Sequence, residues 1–285
     1  MSRVAYVNGR YLPHTGASVH IEDRGFQFAD GVYEVCAVRD GRLIDEHPHL
    51  RRLHRSLHEL KMDWPVGEPA LRHIMRETVR RNRVTNGLVY VQISRGVAQR
   101  DHGFPAPGTK PTLVVTARAI AVEKYDQWAK KGVAVITLPE ARWARCDIKS
   151  TGLLANVLAK QQAREKGAFE AWFVDRDGFV TEGSSTNAWI VDAKGVLRTR
   201  PLSNQILPGV TRGEILPLCR QLGIEFDERP FTVEEARNGR EAFLTAASIG
   251  VMPITAVDES KIGSGAPGPV AIALGETYWS SRSDG

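Results

Sequence analysis

The sequence predicts a mixed α+β protein that is built from two domains. Its 285 residues exceed what one hydrophobic core ordinarily holds, so length alone favours two domains. Segments with alternating apolar residues, which are typical of strands, are interleaved with segments whose apolar residues recur at helical spacing. Around residues 119–131 both patterns give way to charged and small residues. We therefore expect a small N-terminal domain over residues 1–120, a linker over 121–131 and a larger C-terminal domain over 132–285.

The composition is that of an ordinary globular protein and argues against several other classes. Apolar residues make up 42% of the chain and charged residues 25%. The net charge of +5 comes from scattered arginines with no run of like charges, so nucleic-acid binding is not favoured. No stretch is long enough to span a bilayer, and the N-terminus lacks an apolar signal-peptide core. Three dispersed cysteines fit neither a disulfide framework nor a zinc site, so we expect a cytoplasmic protein without a metal or a membrane partner.

The elements follow from apolar periodicity and turn residues. Asn8-Gly9 between Val4–Val7 and Arg10–Leu12 predicts a type I′ turn that joins two strands. Further strands are predicted at Val32–Val38, Leu88–Ser94, Thr112–Ala117, Val133–Leu138, Ala171–Val174, Glu241–Thr245 and Val251–Val257. Helices are predicted at His47–Leu60, Glu68–Asn82, Leu153–Lys166, Val210–Leu222 and Val270–Trp279.

Lys149 stands between a predicted strand and a predicted helix, where a side chain can leave the surface and enter a pocket. In a pocket a lysine can lose its proton and become a nucleophile. Gly152 separates Lys149 from the amphipathic helix at Leu153–Lys166. The apolar residues that recur at helical spacing in that helix are Leu154, Val157 and Leu158. Taken alone, the stretch is more typical of a solvated loop lysine.

Three other stretches could carry chemistry, each with a plainer alternative. Val210 and Thr211 begin a helix, whose N–H groups and dipole suit a phosphate, although capping by Thr211 explains them equally well. Glu182 is either a turn acid or the partner of a buried cationic nitrogen. Arg100 and His102 follow a strand and can converge on a carboxylate, although such a pair is usually part of an ordinary loop.

Together these stretches resemble the class IV, or fold-type IV, family of pyridoxal-phosphate-dependent aminotransferases. The motifs that carry the resemblance are R-G-F-Q-F-A-D-G-V-Y-E-V at 24–35, H-L-R-R-L-H-R-S at 49–56, D-I-K-S at 147–150, T-E-G-S-S-T-N at 181–187 and I-L-P-G-V-T-R at 206–212. They occur in the family's order and extend through nearly the whole chain. The resemblance implies two α/β domains with pyridoxal 5'-phosphate in the cleft between them, and a homodimer.

The resemblance also implies roles for single residues. Lys149 corresponds to the lysine that holds the cofactor as a Schiff base and moves the proton between substrate and cofactor. Glu182 corresponds to the acid that pairs with the pyridine nitrogen, which keeps the ring an electron sink. The other implied contacts are Arg52, Val210 and Thr211 at the phosphate, Leu207 on the cofactor ring and Tyr33 beside the lysine. The chain departs from the pattern at Ala246 and Ala247, where relatives often have hydroxyl side chains, so Ala247 is a candidate for a backbone contact alone.

The loop R-G-V-A-Q-R-D-H-G-F-P at 95–105 resembles that of D-amino-acid transaminases. In that branch an arginine and a histidine, here Arg100 and His102, bind the substrate α-carboxylate together with a tyrosine, here Tyr33. In that branch the arginine and the histidine reach across a dimer interface. The resemblance therefore implies amino transfer from a D-amino acid, such as D-alanine, to a 2-oxo acid, such as 2-oxoglutarate. The alternatives are an (R)-amine or branched-chain L-amino-acid transaminase, an aminodeoxychorismate lyase of the same fold, or a protein that only binds the cofactor.

Overall fold

A computed structural model describes residues 3–282 as two compact units, each with its own sheet. Among these residues, the first unit consists of the chain up to Val122 together with Ile148–Gly152, and the second of Glu123–Asp147 together with the chain from Leu153 onward. Helices and strands alternate in both units, which confirms the mixed α+β class. Among the described residues no helix is long and apolar enough to cross a membrane.

The first unit is an antiparallel sheet with two long helices packed on one face. Its strands are β1 (Val4–Val7), β2 (Arg10–Pro13), β3 (Gly31–Arg39), β4 (Arg42–Leu43), β5 (Gly87–Ser94) and β6 (Thr112–Ala119). Its helices are α1 (Arg24–Phe28), α2 (Glu46–Glu59) and α3 (Glu68–Arg81). The strand order is β2-β1-β6-β5-β3-β4, and each neighbouring pair is antiparallel.

Alternation along β3 and β5 gives this sheet two different faces, because successive side chains of a strand point to opposite sides. One face packs against α2 and α3 and forms the core of the unit. Its members on the two strands are Val32, Cys36, Val38, Val89, Val91 and Ile93. The other face carries half-buried side chains, among them Tyr33, Val35, Tyr90 and Gln92. The second face is therefore the one from which polar side chains can meet a ligand.

The second unit is a mixed sheet with helices on both faces. Its helices are α4 (Val122–Lys131), α5 (Leu154–Glu165), α6 (Val210–Gln221), α7 (Val233–Arg237) and α8 (Pro269–Ser280). Its strands are β7 (Val133–Pro139), β8 (Glu170–Val174), β9 (Val180–Gly183), β10 (Asn187–Val191), β11 (Leu197–Thr199), β12 (Phe226–Glu228), β13 (Glu241–Ala246), β14 (Gly250–Val257) and β15 (Ser260–Lys261). The order is β12-β11-β10-β13-β14-β7-β8-β9, with β15 on β14, and β7 is parallel to both of its neighbours.

The chain divides differently from the sequence-based domains around Lys149. The segment Ile148–Gly152 lies within the range expected for the C-terminal domain but belongs to the first unit. The reason is main-chain pairing with β3: Tyr33 N donates to Lys149 O, and Thr151 N donates to Gly31 O, both at 3.0 Å. The stretch 121–131, expected to be a linker, forms helix α4, which packs on the second unit's core.

Helix α5 exposes the apolar side chains that recur at helical spacing in its sequence. Leu154, Val157 and Leu158 are 73%, 60% and 56% exposed. The buried positions are instead Ala159 and Ala163, at 3% and 0%. These alanines pack on β7 and β8, and their small side chains let the helix approach the sheet closely. The apolar stripe of α5 is therefore not part of the core of its own unit.

Replacement of Ala163 tests this close approach. Ala163→Leu should lower the free energy of unfolding by about 1–3 kcal/mol, because the extra carbon atoms overpack the space beneath α5. The matched control is Gln162→Leu, an exposed neighbour on the same helix, which should change stability by about 0.5 kcal/mol or less. Urea unfolding midpoints at a fixed protein concentration would measure both, and equal midpoints for the two variants would contradict the packing described.

Candidate active site

Lys149 and Tyr33 lie together in the first unit. Lys149 Nζ is 4.2 Å from the centroid of the Tyr33 ring. The lysine is half-buried, and its main chain is fixed on both sides. Its carbonyl accepts from Tyr33 N, and its N–H donates to Ser56 Oγ at 3.3 Å. The amine is therefore presented from a segment whose main chain is anchored on both sides rather than from a free loop.

A second tyrosine supports Tyr33 from the next strand. The rings of Tyr33 and Tyr90 are stacked with their centroids 5.6 Å apart. Tyr90 OH donates to Gln92 Oε1 at 2.7 Å. Burial, with a smaller contribution from Tyr33, raises the pKa of Tyr90 to about 12, so its phenol stays neutral near pH 7. The two rings form an ordered aromatic surface beside Lys149.

Arg52 is held by a carboxylate that the sequence analysis did not identify. Glu34 lies on the core face of β3 and is 1% exposed. Arg52 donates to both of its oxygens, from Nε at 2.8 Å and from Nη2 at 2.9 Å, and His49 Nδ1 is 2.7 Å from Glu34 Oε2. Burial would raise the pKa of Glu34, but Arg52 and His49 outweigh it and hold that pKa far below the usual value. The signal available in the sequence was an acid at a core position of an alternating strand.

Arg100 and His102 converge on one ring, that of Phe28 at the end of α1. The Arg100 guanidinium carbon is 5.0 Å from the centroid of Phe28, and the His102 ring centroid is 5.4 Å from it. Both side chains are exposed. The structure therefore brings the two cationic or donor groups of this loop together on one surface.

Glu182 lies in strand β9, not in a turn, and is 5% exposed. Asn187 Nδ2 donates to its Oε2 at 2.9 Å, and Leu207 N donates to both oxygens at 3.1 Å. Arg142 Nη1 forms an ion pair with Oε1. A Cβ at position 209 would collide with the Asn187 amide, so glycine is needed there for this close approach. The carboxylate is thereby fixed in orientation by three neighbouring segments of the second unit.

Arg142 bridges two carboxylates and was missed by the sequence analysis. Besides Glu182, it pairs with Glu140, from Nε to Oε1 at 2.9 Å and from Nη2 to Oε2 at 2.6 Å. Burial would raise the pKa of Glu140, but the hydrogen bonds and charge of Arg142 outweigh it and lower that pKa. Arg142 opens the stretch that contains Lys149, but a lone arginine there gives no hint of its partners.

The start of α6 has the features of an anion-binding site. The first N–H groups of a helix have no partner within the helix, and Gly209 provides no side-chain cap. Thr211 is 2% exposed, and its Oγ1 is buried without a hydrogen-bond partner among residues 3–282. A buried hydroxyl of this kind ordinarily has a partner. A phosphate would supply acceptors for both the hydroxyl and the N–H groups, so these residues fit that group.

Comparisons with known proteins identify the family. The sequence model of the family described as Amino-transferase class IV matches residues 31–257. The chain belongs to the class IV aminotransferase family. The Bacillus licheniformis D-alanine aminotransferase is 41% identical over 92% of this chain and 91% of its own length. The Staphylococcus haemolyticus D-alanine aminotransferase is 38% identical over 96% of this chain and 95% of its own length.

Solved structures share the fold of this class IV aminotransferase. The branched-chain amino acid aminotransferase of T.th., solved with pyridoxamine 5'-phosphate, is 25% identical with a TM-score of 0.90 over 100% of this chain and 95% of that chain. The branched-chain aminotransferase of Thermoproteus uzoniensis, solved with norvaline, is 27% identical with a TM-score of 0.85 over 98% of this chain and 94% of that chain.

Within this class IV aminotransferase, the candidate residues form groups in each unit. The first unit holds Lys149 with Tyr33, Arg52 with Glu34, and Arg100 with His102. The second unit holds Glu182 bonded to the Leu207 main chain, and the start of α6 with Val210 and Thr211. Ala247 lies in the turn after β13, where Ile249 N donates to Ala246 O at 3.1 Å. This turn places no side-chain hydroxyl at position 247, as the sequence indicated.

Substitution of Arg142 tests the buried ion network. Arg142→Met should lower the free energy of unfolding at pH 7 by about 3–5 kcal/mol, because the buried Glu182 and the half-buried Glu140 lose their common cation. The folded pKa of Glu140 lies below its ordinary value of 4.5, so the stability that it contributes is present above that value and is lost as pH falls through the folded pKa. The deficit of the variant should therefore shrink as the pH is lowered from 7 to below 4.5.

The control for this measurement is an ion pair nearer to solvent. Arg229 and Glu235 are each 37% exposed and pair at 2.6 Å. Arg229→Met should therefore change the free energy of unfolding by about 1 kcal/mol or less. Urea unfolding at each pH would measure the loss of unfolding free energy in Arg142→Met. A loss that stayed constant across the pH range would contradict the role of Arg142 as the common cation of Glu140 and Glu182.

Proposed function

We propose that this protein is a pyridoxal-phosphate-dependent transaminase that transfers the amino group of a D-amino acid, such as D-alanine, to a 2-oxo acid, such as 2-oxoglutarate. The observation that carries the proposal is the 41% identity with a D-alanine aminotransferase over 92% of the chain. The branched-chain enzymes that share the fold are less similar, at 27% for that of Thermoproteus uzoniensis. The pairing of Arg100 with His102 on one ring supports recognition of a carboxylate.

Bound to Lys149, pyridoxal 5'-phosphate would supply an electron sink for the negative charge that develops at the substrate Cα. Glu182 would pair with the ring nitrogen, and its donors Arg142, Asn187 and Leu207 N would keep its carboxylate oriented toward that nitrogen. The unpartnered Thr211 hydroxyl and the start of α6 support a phosphate site there. The remaining proposed contacts are Arg52, Val210 and the Ala247 main chain at the phosphate, and Leu207 on the ring.

Lys149 would also move the proton of the reaction. Its Nζ would take the proton from the substrate Cα as a general base and would deliver it to the C4′ carbon of the cofactor as a general acid. The position of Nζ is limited by the main-chain bonds of Lys149 to Tyr33 and Ser56. Tyr33, with Arg100 and His102, would hold the substrate carboxylate, which fixes the face of the Cα from which the proton is taken.

The homodimer and the cytoplasmic location expected from the sequence remain predictions. The exposed apolar stripe of α5, formed by Leu154, Val157 and Leu158, supports association with another protein surface, because exposed apolar clusters mark interaction sites. A second copy of the chain is the partner that the resemblance implies.

Single half-reactions test the function. The protein, loaded with pyridoxal phosphate, is mixed with one amino donor and no 2-oxo acid. We expect D-alanine to remove the visible absorption band of the lysine-bound cofactor and to release one pyruvate per cofactor, because the amino group stays on the enzyme. L-Leucine and (R)-1-phenylethylamine should leave the band intact, since only the D-amino acid presents both its Cα proton and its carboxylate correctly.

Each other outcome identifies an alternative. Loss of the band with L-leucine and not with D-alanine would favour the branched-chain enzyme. Loss with (R)-1-phenylethylamine alone would favour an amine transaminase, and repeated pyruvate release from aminodeoxychorismate without an acceptor would indicate the lyase. Absence of the band in protein loaded with pyridoxal phosphate would contradict the role of Lys149.

Removal of one hydroxyl tests the phosphate site. Thr211→Val keeps the side-chain shape but removes Oγ1, so it should raise the dissociation constant of pyridoxal phosphate about ten-fold, as expected for a hydrogen bond to a charged group. The stability of the cofactor-free protein should stay the same or rise, because the hydroxyl has no partner there among the described residues. Thr211→Ser is the matched control and should retain affinity. A fluorescence titration with pyridoxal phosphate measures these constants, and equal affinity in all three proteins would exclude the contact.

A further inference from the structure

The segment that carries Arg100 and His102 has no regular structure of its own. Residues 98–111 contain neither helix nor strand, and Arg100, Asp101 and His102 are all exposed. An irregular exposed segment ordinarily loses conformational entropy when it closes on a ligand, and that loss weakens binding. Two long exposed side chains that must meet one carboxylate therefore need support from neighbouring residues.

Phe28 supplies one part of that support. Besides Arg100 and His102, its ring also contacts Arg24, whose guanidinium carbon is 4.9 Å from the ring centroid. Arg24 and Phe28 are four residues apart in α1 and so lie on the same side of that helix. Attraction between a cation and an aromatic ring favours these placements over free rotation in water.

Arg24 supplies the other part by holding the main chain of the loop. Its Nη1 donates at 2.6 Å to the carbonyl of Asp101. Asp101 lies between Arg100 and His102, the two residues that form the proposed carboxylate clamp. Its Nε donates to Asp30 Oδ2 at 2.7 Å, and the same carboxylate receives two bonds from Arg95 at 2.7 and 3.0 Å. Arg95 in turn donates to the carbonyls of Leu60 and Lys61 at the end of α2.

The support is built from buried charges. Arg24 and Arg95 are 4% and 8% exposed. Burial would raise the pKa of Asp30, but Arg95 and Arg24 outweigh it and hold the pKa below its usual value, so the carboxylate stays charged. Ala29, in the left-handed conformation with φ 54, ends α1 and turns Asp30 back toward Arg24. The arginine that holds the loop is therefore itself fixed.

We propose that Phe28 and Arg24 are positioning residues that hold Arg100 and His102 in the arrangement that binds a substrate carboxylate. The inference rests on the proposed function, because it concerns the carboxylate of the amino donor and of the 2-oxo acid. Phe28 orders the two side chains, and Arg24 orders the main chain between them. The effect of losing either is confined to ligands that carry a carboxylate.

Three variants and three ligands test the proposal in the cofactor-loaded enzyme. Phe28→Leu removes the ring, Phe28→Tyr keeps it, and Phe226→Leu removes the ring contacted by Arg220 at 5.4 Å in the second unit. The ligands are D-alanine, acetate as a simple carboxylate, and hydroxylamine as an amine without a carboxylate. Acetate binding is followed by the change in the absorption spectrum of the enzyme, so that it does not depend on turnover.

We expect Phe28→Leu to raise the KM for D-alanine and the dissociation constant of acetate about five-fold, with little change in kcat. The rate with hydroxylamine should stay unchanged, because that ligand makes no use of the clamp. Phe28→Tyr and Phe226→Leu should both keep the wild-type KM for D-alanine and the wild-type dissociation constant of acetate. Equal losses with D-alanine and hydroxylamine, or an unchanged acetate constant in Phe28→Leu, would overturn the positioning role.

Arg100→Ala separates failure of this inference from failure of the proposed function. If Arg100→Ala weakens acetate binding and Phe28→Leu does not, only the positioning role is wrong. If wild-type protein does not react with D-alanine, or if Arg100→Ala leaves acetate binding unchanged, the proposed clamp itself is wrong. Should Phe28→Leu fail to fold, Arg24→Lys keeps the charge but shortens the reach to Asp101, and the same pattern of losses is expected from it.

Discussion

The pair between the Glu34 carboxylate and the Arg52 guanidinium is the interaction on which the first unit is built. Glu34 occupies a core position of β3, where an ionised carboxylate is stable only if cations and hydrogen bonds replace its water. Helix α2 contributes Arg52 and His49 from one face. Because both side chains contact Glu34, they fix the rotation of α2 about its own axis and its position along the sheet. The same face carries Ser56, whose hydroxyl accepts from the main chain of Lys149. The placement of the lysine thus follows from the burial of an acid on a neighbouring strand.

The same arrangement, a carboxylate held by arginine, recurs near two other candidate groups. Asp30 is held by Arg24 and Arg95 beneath the loop of Arg100, and in the second unit Glu182 is held by Arg142. In each case an arginine fork meets a carboxylate at short range, which fixes direction as well as distance. Functional groups supported in this way need little reorganisation when a ligand arrives, and that preorganisation is the usual source of electrostatic catalysis.

The polar groups therefore fall into two kinds. Glu34, Asp30 and Glu182 have their hydrogen bonds satisfied within the protein, so their placement does not depend on a ligand. The hydroxyl of Thr211, in contrast, is buried and without a partner in the described chain, beside helix N–H groups that the helix itself cannot satisfy. Groups of the first kind shape a site, and groups of the second kind indicate what enters it. For this protein they indicate an anion at the start of α6.

The sequence by itself determined the mixed class, most helices and strands, the family and the stretches that carry Lys149, Glu182 and the Arg100 loop. These follow from local periodicity, turn residues and motif spacing, which act over a few neighbouring positions. It could not give the partners of those residues, because Glu34 meets Arg52 across 18 positions and Arg142 meets Glu182 across 40. Periodicity shows that α5 has an apolar stripe, but it could not show that close packing on β7 and β8 buries the alanines of α5 instead. Only the tertiary structure decided which unit holds Lys149, because that depends on main-chain pairing with β3, and all residue types other than proline can form such bonds.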